Sequence, residues 1–211
     1  EVYDGDGVSV VDGDGDGVPD RPAASLLRAK SVTSYDDLGR VYRTAVYSVD
    51  PLTGAVSTHA LTSNTWYDAR GQVVKVASPG GMVEKYQYDG AGRLTKSFTS
   101  DGGGDTSYAD AFTVTGDIVL SQAEYAYDAN DNLSQTTVRQ RFHDASGTGE
   151  LGTPTSGIAA RVSYAGFYYD LADRLTATVD VGTNGGTAWT RPGTVPTRSD
   201  TVLVTSQVPR D

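Results

Sequence analysis

The sequence predicts an all-β chain made of successive antiparallel hairpins. The main observation is a Tyr-Asp phrase that occurs five times among the 211 residues, beginning at Tyr35, Tyr67, Tyr88, Tyr127 and Tyr169. Composition agrees, because the chain has 25 Gly and 13 Tyr but only 4 Phe and 1 Met. Glycine suits tight turns, and Tyr suits strands with half-exposed faces. The steps between phrases, 32, 21, 39 and 42 residues, are too irregular for a propeller or a helical solenoid, so they indicate hairpins of variable length.

Each Tyr-Asp phrase predicts a turn with one left-handed residue. The Asp side chain can accept hydrogen bonds from backbone N–H groups two residues on, and the next two residues can form a type I turn. The fifth position then needs a positive φ to restore the strand twist. Gly39, Gly71 and Gly92 occupy that position. Asp131 and Asp173 occupy it in the other two copies, and Asp is among the few other residues that tolerate this backbone.

The segments beside the phrases predict strands with one buried and one solvated face. They mix alternating polar and apolar residues with β-branched residues. The Tyr before each Asp is expected on the sheet surface, stacked against its neighbours in adjacent hairpins. The predicted strands are residues 41–49, 73–78, 82–88, 94–100, 133–142 and 175–181.

The phrase Tyr-Asp-x-x-Gly-Arg-Leu resembles the YD repeat of the RHS family. Tyr88–Leu94 matches it completely, and Tyr35–Val41 matches with Val in place of Leu. Tyr169–Leu175 has Asp in place of Gly. Tyr67–Val73 has Gln at the sixth position, and Tyr127–Leu133 has Asp and Asn at the fifth and sixth.

This resemblance covers about residues 30–181 and implies a continuous YD-repeat β-strip, part of a spiral shell or fibre. Members of the family are large secreted or surface proteins. Some enclose a toxin, and others serve in adhesion or cell-wall association. The expected localisation is therefore extracellular or at the cell surface, and the chain is expected to be a segment of something larger.

An acidic segment at the start of the chain predicts a calcium site. Residues 1–20 hold seven acidic side chains and no Lys or Arg. The pattern D-x-D-x-D-G-x-x-D makes alternate carboxylates converge on one cation, although the twelfth loop position of an EF-hand is Ala23 here. The segment therefore resembles the short calcium repeats of thrombospondin type 3, and a solvated acidic linker is the alternative. The predicted Ca²⁺ ligands are Asp12, Asp14, Asp16 and Asp20, with Asp4 and Asp6 from a truncated second copy.

The sequence predicts no enzyme: no catalytic residue and no cofactor-binding residue is identified. The two histidines, His59 and His143, have no Ser-His-Asp or zinc-ligand spacing and are expected at the surface. Trp66 and Trp189 are interpreted as buried anchors, with sugar-stacking platforms as the alternative. Asp50–Gly54 resembles the Asp-Pro motif near the self-cleavage site of toxin-bearing RHS proteins, but a hairpin turn explains it more simply.

Charge and composition exclude several partners. The net charge is −10, and no basic stripe exists for a phosphate backbone, so no nucleic-acid partner is predicted. No apolar run is long enough to predict a membrane span. The absence of Cys removes disulfides as staples.

Three segments are predicted along the chain: a calcium-binding segment at 1–25, the β-strip at 26–181, and a Gly/Pro-rich loop with a terminal strand at 182–211. Gly-, Ser- and Thr-rich insertions account for the longer steps and are expected to project from the sheet as loops. These insertions are residues 100–110, 143–157 and 182–197.

The predicted function is that of a non-catalytic structural module in a large extracellular RHS-repeat protein. Strand pairing with neighbouring segments or with identical copies would build a calcium-stabilised shell or surface filament, because exposed sheet edges bind further strands. Val202–Val208 is the candidate terminal strand for such pairing. One alternative is a cage segment of a toxin-delivery protein, and another is an adhesion module that binds glycans.

Overall fold

A computed structural model of the chain describes residues 1–5 and 11–206. Within this part the protein is all-β, and every pairing between strands is antiparallel, as the sequence predicts. Three short 3-10 turns are the only helical segments in the described residues, at Ala24–Leu26, Tyr108–Phe112 and Asn184–Gly186. None of them has the length and apolar character that a bilayer-spanning helix requires.

Twelve strands follow one another along the chain. The strands are β1 Val2–Tyr3, β2 Leu27–Tyr35, β3 Val41–Val49, β4 Val56–Tyr67, β5 Val73–Ala77, β6 Val83–Tyr88, β7 Leu94–Ser100, β8 Val119–Tyr127, β9 Leu133–Arg141, β10 Ala160–Tyr169, β11 Leu175–Gly182 and β12 Leu203–Ser206. The bounds of six of them, β3, β5, β6, β7, β9 and β11, agree closely with the segments predicted from alternation and β-branching.

The chain divides into two compact units, residues 1–65 with 78–80, and residues 66–77 with 81–211. In the first unit, β2 pairs with β3 and β3 with β4, while β1 joins β2 only through Val2 and Tyr3. Its strands are largely exposed, and Leu27 and Ala45 are its buried apolar residues among those described. The segment boundaries predicted at residues 25 and 181 stay predictions.

In the second unit, each strand from β5 to β12 pairs with its neighbours in sequence. Because these strands are antiparallel, successive connections alternate between the two ends of the strands. The Tyr-Asp phrases of this unit, which begin at Tyr67, Tyr88, Tyr127 and Tyr169, therefore lie at one end of the strands, and three longer connections, 101–118, 142–159 and 183–202, lie at the other end. The five phrases are named corner 1 (35–41), corner 2 (67–73), corner 3 (88–94), corner 4 (127–133) and corner 5 (169–175).

The long connections fold back onto one face of the sheet, so the prediction that they project as loops is wrong. Val114, Leu151 and Ile158 pack with Phe98 of β7 in one core cluster. Trp189 packs on a second cluster formed by residues of β10 and β11. These apolar side chains cover sheet surface that water would otherwise contact. Burial of apolar surface stabilises the packed connection by about 25 cal/mol per Å² removed from water.

A glycine makes room for one of these contacts. A Cβ added to Gly166 would lie 2.7 Å from Cη2 of Trp189, which is closer than van der Waals contact allows. The ring centroids of Trp189 and Tyr164 are 6.3 Å apart. Both Trp66 and Trp189 are half-buried, in keeping with their interpretation as anchors.

Candidate functional site

In each corner, the Asp side chain at the second position forms the hydrogen bonds that shape the turn. In corner 3, Oδ1 of Asp89 accepts hydrogen bonds from the N–H groups of Ala91 (2.9 Å) and Arg93 (3.0 Å), and Oδ2 accepts one from Arg93 Nε (2.7 Å). Asp36 and Asp170 repeat this pattern in corners 1 and 5. The predicted Asx-type turn is confirmed, and the Arg at the sixth position closes it.

The fifth position of every corner has a positive φ, as predicted. The φ angles are 76° at Gly39, 86° at Gly71, 87° at Gly92, 68° at Asp131 and 59° at Asp173. A side chain is strained in this region unless it is short and polar, so this position holds either Gly or Asp for a steric reason.

Hydrogen bonds lower the pKa of the second-position Asp in corners 1, 3, 4 and 5. The backbone N–H of Arg93, followed by its side chain, holds the pKa of Asp89 below its usual value. The backbone N–H of Arg40 does the same for Asp36. At Asp128, desolvation acts in the opposite direction, but hydrogen bonds from Asn132 still leave the pKa lowered. The ionised carboxylate is thus the form that the corner requires.

The Tyr of each of corners 3, 4 and 5 joins its corner to the preceding one. Its hydroxyl donates a hydrogen bond to the backbone carbonyl of the seventh residue in the corner before it. The corners at one end of the strands are therefore joined by a regular series of side-chain links. We call this series the tyrosine ladder. Its bonds run from Tyr88 to Val73 (2.9 Å), from Tyr127 to Leu94 (2.8 Å) and from Tyr169 to Leu133 (3.0 Å).

Burial in the tyrosine ladder raises the pKa of its phenols. Desolvation is the main cause for Tyr88, Tyr127 and Tyr169, and the charge of Asp68 adds to it at Tyr88. Arg93 of corner 3 also lies over the ring of Tyr127, with its Cζ 4.9 Å from the centroid. Stacking of these tyrosine rings between hairpins stays a prediction, and the structure shows a hydroxyl bond from each of them to the preceding corner.

A second set of links connects the sixth position of one corner to the fifth position of the next. Gln72 donates to the carbonyl of Gly92 (2.8 Å). Arg93 pairs with the carboxylate of Asp131, and Asn132 donates to the carboxylate of Asp173 (2.7 Å). Where Asp replaces Gly at the fifth position, its carboxylate therefore has a partner on the preceding corner.

A hydroxyl follows the seventh position in corners 3, 4 and 5, at a point where the pairing register shifts by one residue. This hydroxyl donates to a carbonyl of the partner strand and so satisfies an acceptor at the irregularity. The bonds run from Thr95 to Gln87 (3.1 Å), from Ser134 to Ala126 (3.1 Å) and from Thr176 to Tyr168 (3.0 Å). The Leu-Thr and Leu-Ser pairs in the sequence were the available signal for this role.

The acidic segment forms a loop that brings three predicted ligands together. Carboxylate oxygens of Asp12, Asp14 and Asp16 lie within 4.8 Å of one another and are exposed. Asp12 also accepts the N–H groups of Gly15 (2.8 Å) and Gly17 (3.0 Å), which shapes the loop around the carboxylates. Three oxygen donors at this spacing fit a hard cation such as Ca²⁺.

The other predicted ligands are placed differently. Asp20 accepts a hydrogen bond from the N–H of Gly13 (2.8 Å), so it closes the same loop. Asp4 forms an ion pair with Arg28 (3.2 Å). Asp6 lies outside the described residues.

Three further residues singled out in the sequence lie outside the tyrosine ladder and the acidic loop. His59 and His143 are exposed. Asp50 accepts the N–H groups of Leu52 and Thr53, both at 2.9 Å, and Gly54 has φ 70°, which is the predicted hairpin turn.

Comparison with known proteins gives one family match. The model of the RHS repeat matches residues 67–106, which include corners 2 and 3. A search of curated proteins finds no match. Two solved structures share 12% identity with the chain: "TcdB2-TccC3-Cdc42", over 85% of this chain with TM-score 0.32, and "TcdB2-TccC3", over 82% with TM-score 0.29. The chain spans 12% of the length of each of those two chains.

The matched region contains the complete Tyr-Asp phrase at 88–94, the first bond of the tyrosine ladder and the link from Gln72 to Gly92. Sequence match and geometry thus coincide on the same residues. Residues 67–106 of this chain are similar to the RHS repeat.

Proposed function

We propose that the chain is a non-catalytic wall segment of a larger RHS-repeat protein, located outside the cell or at its surface. The observation that carries this proposal is the tyrosine ladder, because its bonds join successive hairpins. Corners 3 and 4 each donate one bond to the corner before and accept one bond from the corner after. Such a module can extend by repetition, which is what a wall requires.

The sheet edges favour pairing with further strands. Within the described residues, pairing on the outer side of β2 reaches only Leu27 and Ala29. At the other end, β12 is four residues long and pairs with β11 from Ala177 to Asp180. An edge strand presents unpaired N–H and C=O groups to another segment. The partners we propose are neighbouring segments of the same protein or identical copies.

Cryo-electron microscopy of the full-length protein tests this role. We expect the sheet to continue past β2 and β12 into adjacent repeats, in a closed cage or an open filament. The closed form would support the toxin-delivery alternative, and the open form a surface fibre. A parent protein in which this segment stands as a separate domain, with both edges uncovered, would contradict the proposal.

We further propose that the loop of Asp12, Asp14 and Asp16 binds Ca²⁺ and becomes rigid when it does so. Close carboxylates repel one another, and a divalent cation removes that repulsion. Isothermal titration with Ca²⁺ should show binding that Asp14→Asn weakens at least tenfold. Asp37→Asn, an acidic residue in corner 1 outside the loop, is the matched control and should leave the affinity unchanged. A titration in which added Ca²⁺ produces no heat of binding would identify the segment as an acidic linker.

A further inference from the structure

A buried ionic cluster lies beneath the connection 101–118, away from the corners. Lys85 of β6 has a side chain that is 2% exposed, and the side chain of Asp117 is 0% exposed. Nζ of Lys85 lies 2.9 Å from Oδ2 and 3.2 Å from Oδ1 of Asp117. The same Nζ lies 2.7 Å from Oδ2 of Asp105, and it also donates a hydrogen bond to the backbone carbonyl of Thr113 at 2.7 Å.

Two further groups complete the cluster. Ser100 is buried, and its hydroxyl donates to Oδ2 of Asp117 at 2.7 Å. Lys75 pairs with Asp105 at 2.7 Å, and its Nζ lies 4.4 Å from the ring centroid of Trp66. Removal of charged groups from water is costly, and an ion pair repays that cost only in part. A reaction that eliminates one pair of these charges would remove part of this cost.

We propose that Lys85 and Asp117 form an intramolecular isopeptide bond. Nζ lies 2.9 Å from one oxygen and 3.2 Å from the other oxygen of the same carboxylate, so both atoms that it contacts are bonded to Cγ, the atom it would attack. Ser100 is placed to donate to the oxygen that becomes negative when Nζ attacks. Asp105 contacts the nucleophile and can carry its proton.

The step balances without any external reagent. The ammonium of Lys85 first passes one proton to the carboxylate of Asp117, which gives a neutral amine and a carboxylic acid. The lone pair of Nζ then attacks Cγ. Asp105 takes a second proton from Nζ and delivers it to the leaving hydroxyl, which departs as water. The C–O bond breaks, the C–N bond remains, and one hydrogen stays on the amide nitrogen.

The bond would tie β6 covalently to the end of the connection that covers it. The two residues are 32 positions apart, and the chain has no Cys to make a comparable link by a disulfide. Exclusion of water from the cluster favours the amide over its hydrolysis. The connection would then be held in place when the surrounding hydrogen bonds open.

Intact mass spectrometry of the natively purified 211-residue chain tests the proposal. We expect a mass lower than the sequence mass by one water molecule, and a tryptic product that joins the peptides of Lys85 and Asp117. The exposed ion pair of Lys96 and Glu150, with its atoms 2.6 Å apart, is the internal control and should remain unlinked. A cooperatively folded chain with the full sequence mass would overturn the proposal, as would a link at Lys75 instead.

Variants test the chemistry. Asp117→Asn changes the leaving group, so its mass should fall by one ammonia molecule rather than one water. Asp105→Ala keeps both reacting groups but lacks the proton carrier, so its mass should stay at the full value during the time in which the wild type reacts. A link that forms equally fast in Asp105→Ala would refute the assigned role of that carboxylate. The wild-type mass needs no variant, so the bond itself remains testable if a substitution prevents folding.

Discussion

Loss of one hydroxyl from the tyrosine ladder should weaken the contact between two successive hairpins. Tyr127→Phe removes the 2.8 Å hydrogen bond to the carbonyl of Leu94 and keeps the ring that Arg93 covers. A single neutral hydrogen bond contributes about 1 kcal/mol to the free energy of unfolding. In a chain of this size, that change lowers the melting temperature by about 2–4 °C.

The matched control is Tyr35→Phe. Tyr35 occupies the same position in corner 1, but it is 61% exposed. A substitution at an exposed position changes stability by less than about 0.5 kcal/mol. Urea unfolding gives the free-energy difference, and hydrogen exchange shows where the sheet opens, which should be at β7 and β8. Equal effects of the two substitutions, or faster exchange confined to β2 and β3, would refute the assigned role of the ladder.

Three further predictions concern pH and packing. The folded pKa of Asp89 is lowered, so its contribution to stability is present above the usual value of 3.8 and is lost as the pH falls through the folded value. The urea concentration at the unfolding midpoint should therefore decrease on the acid side of this range, and it should decrease less in Asp89→Asn. The pKa of Tyr86 is raised to about 12 from 10.0, so the unfolded state ionises first and stability should fall between those values, a trend that Tyr86→Phe should reduce in an alkaline denaturation series. Gly166→Ala places a methyl group against Trp189 and should cost about 1–3 kcal/mol with a change in Trp fluorescence, whereas Gly90→Ala, which meets no atom within 4 Å, should change neither.

The corners were predictable because their determinants are local. Asp at the second position and Gly or Asp at the fifth specify the turn from within seven residues, and the structure confirms the left-handed backbone even at Asp131 and Asp173. The bounds of β3, β5, β6, β7, β9 and β11 followed from alternation for the same reason.

The links between elements were not predictable, because their partners are far apart in sequence. Lys75 and Lys85 stand in alternating strands, where a Lys normally indicates a solvated face, yet both are buried. Lys75 pairs with Asp105, 30 positions away, and Lys85 pairs with Asp117, 32 positions away. Asn132 breaks the family pattern, and only the structure shows that it reaches Asp173, 41 positions away.

Strand order that follows sequence order has a consequence for biosynthesis. From β5 to β12, each new strand pairs with one that has already left the ribosome, so the second unit can grow one hairpin at a time. Nearest-neighbour pairing of this kind keeps contact order low for an all-β protein and avoids the slow search that distant strands impose. A nascent chain stalled after corner 4 should therefore already protect β6 and β7 from protease.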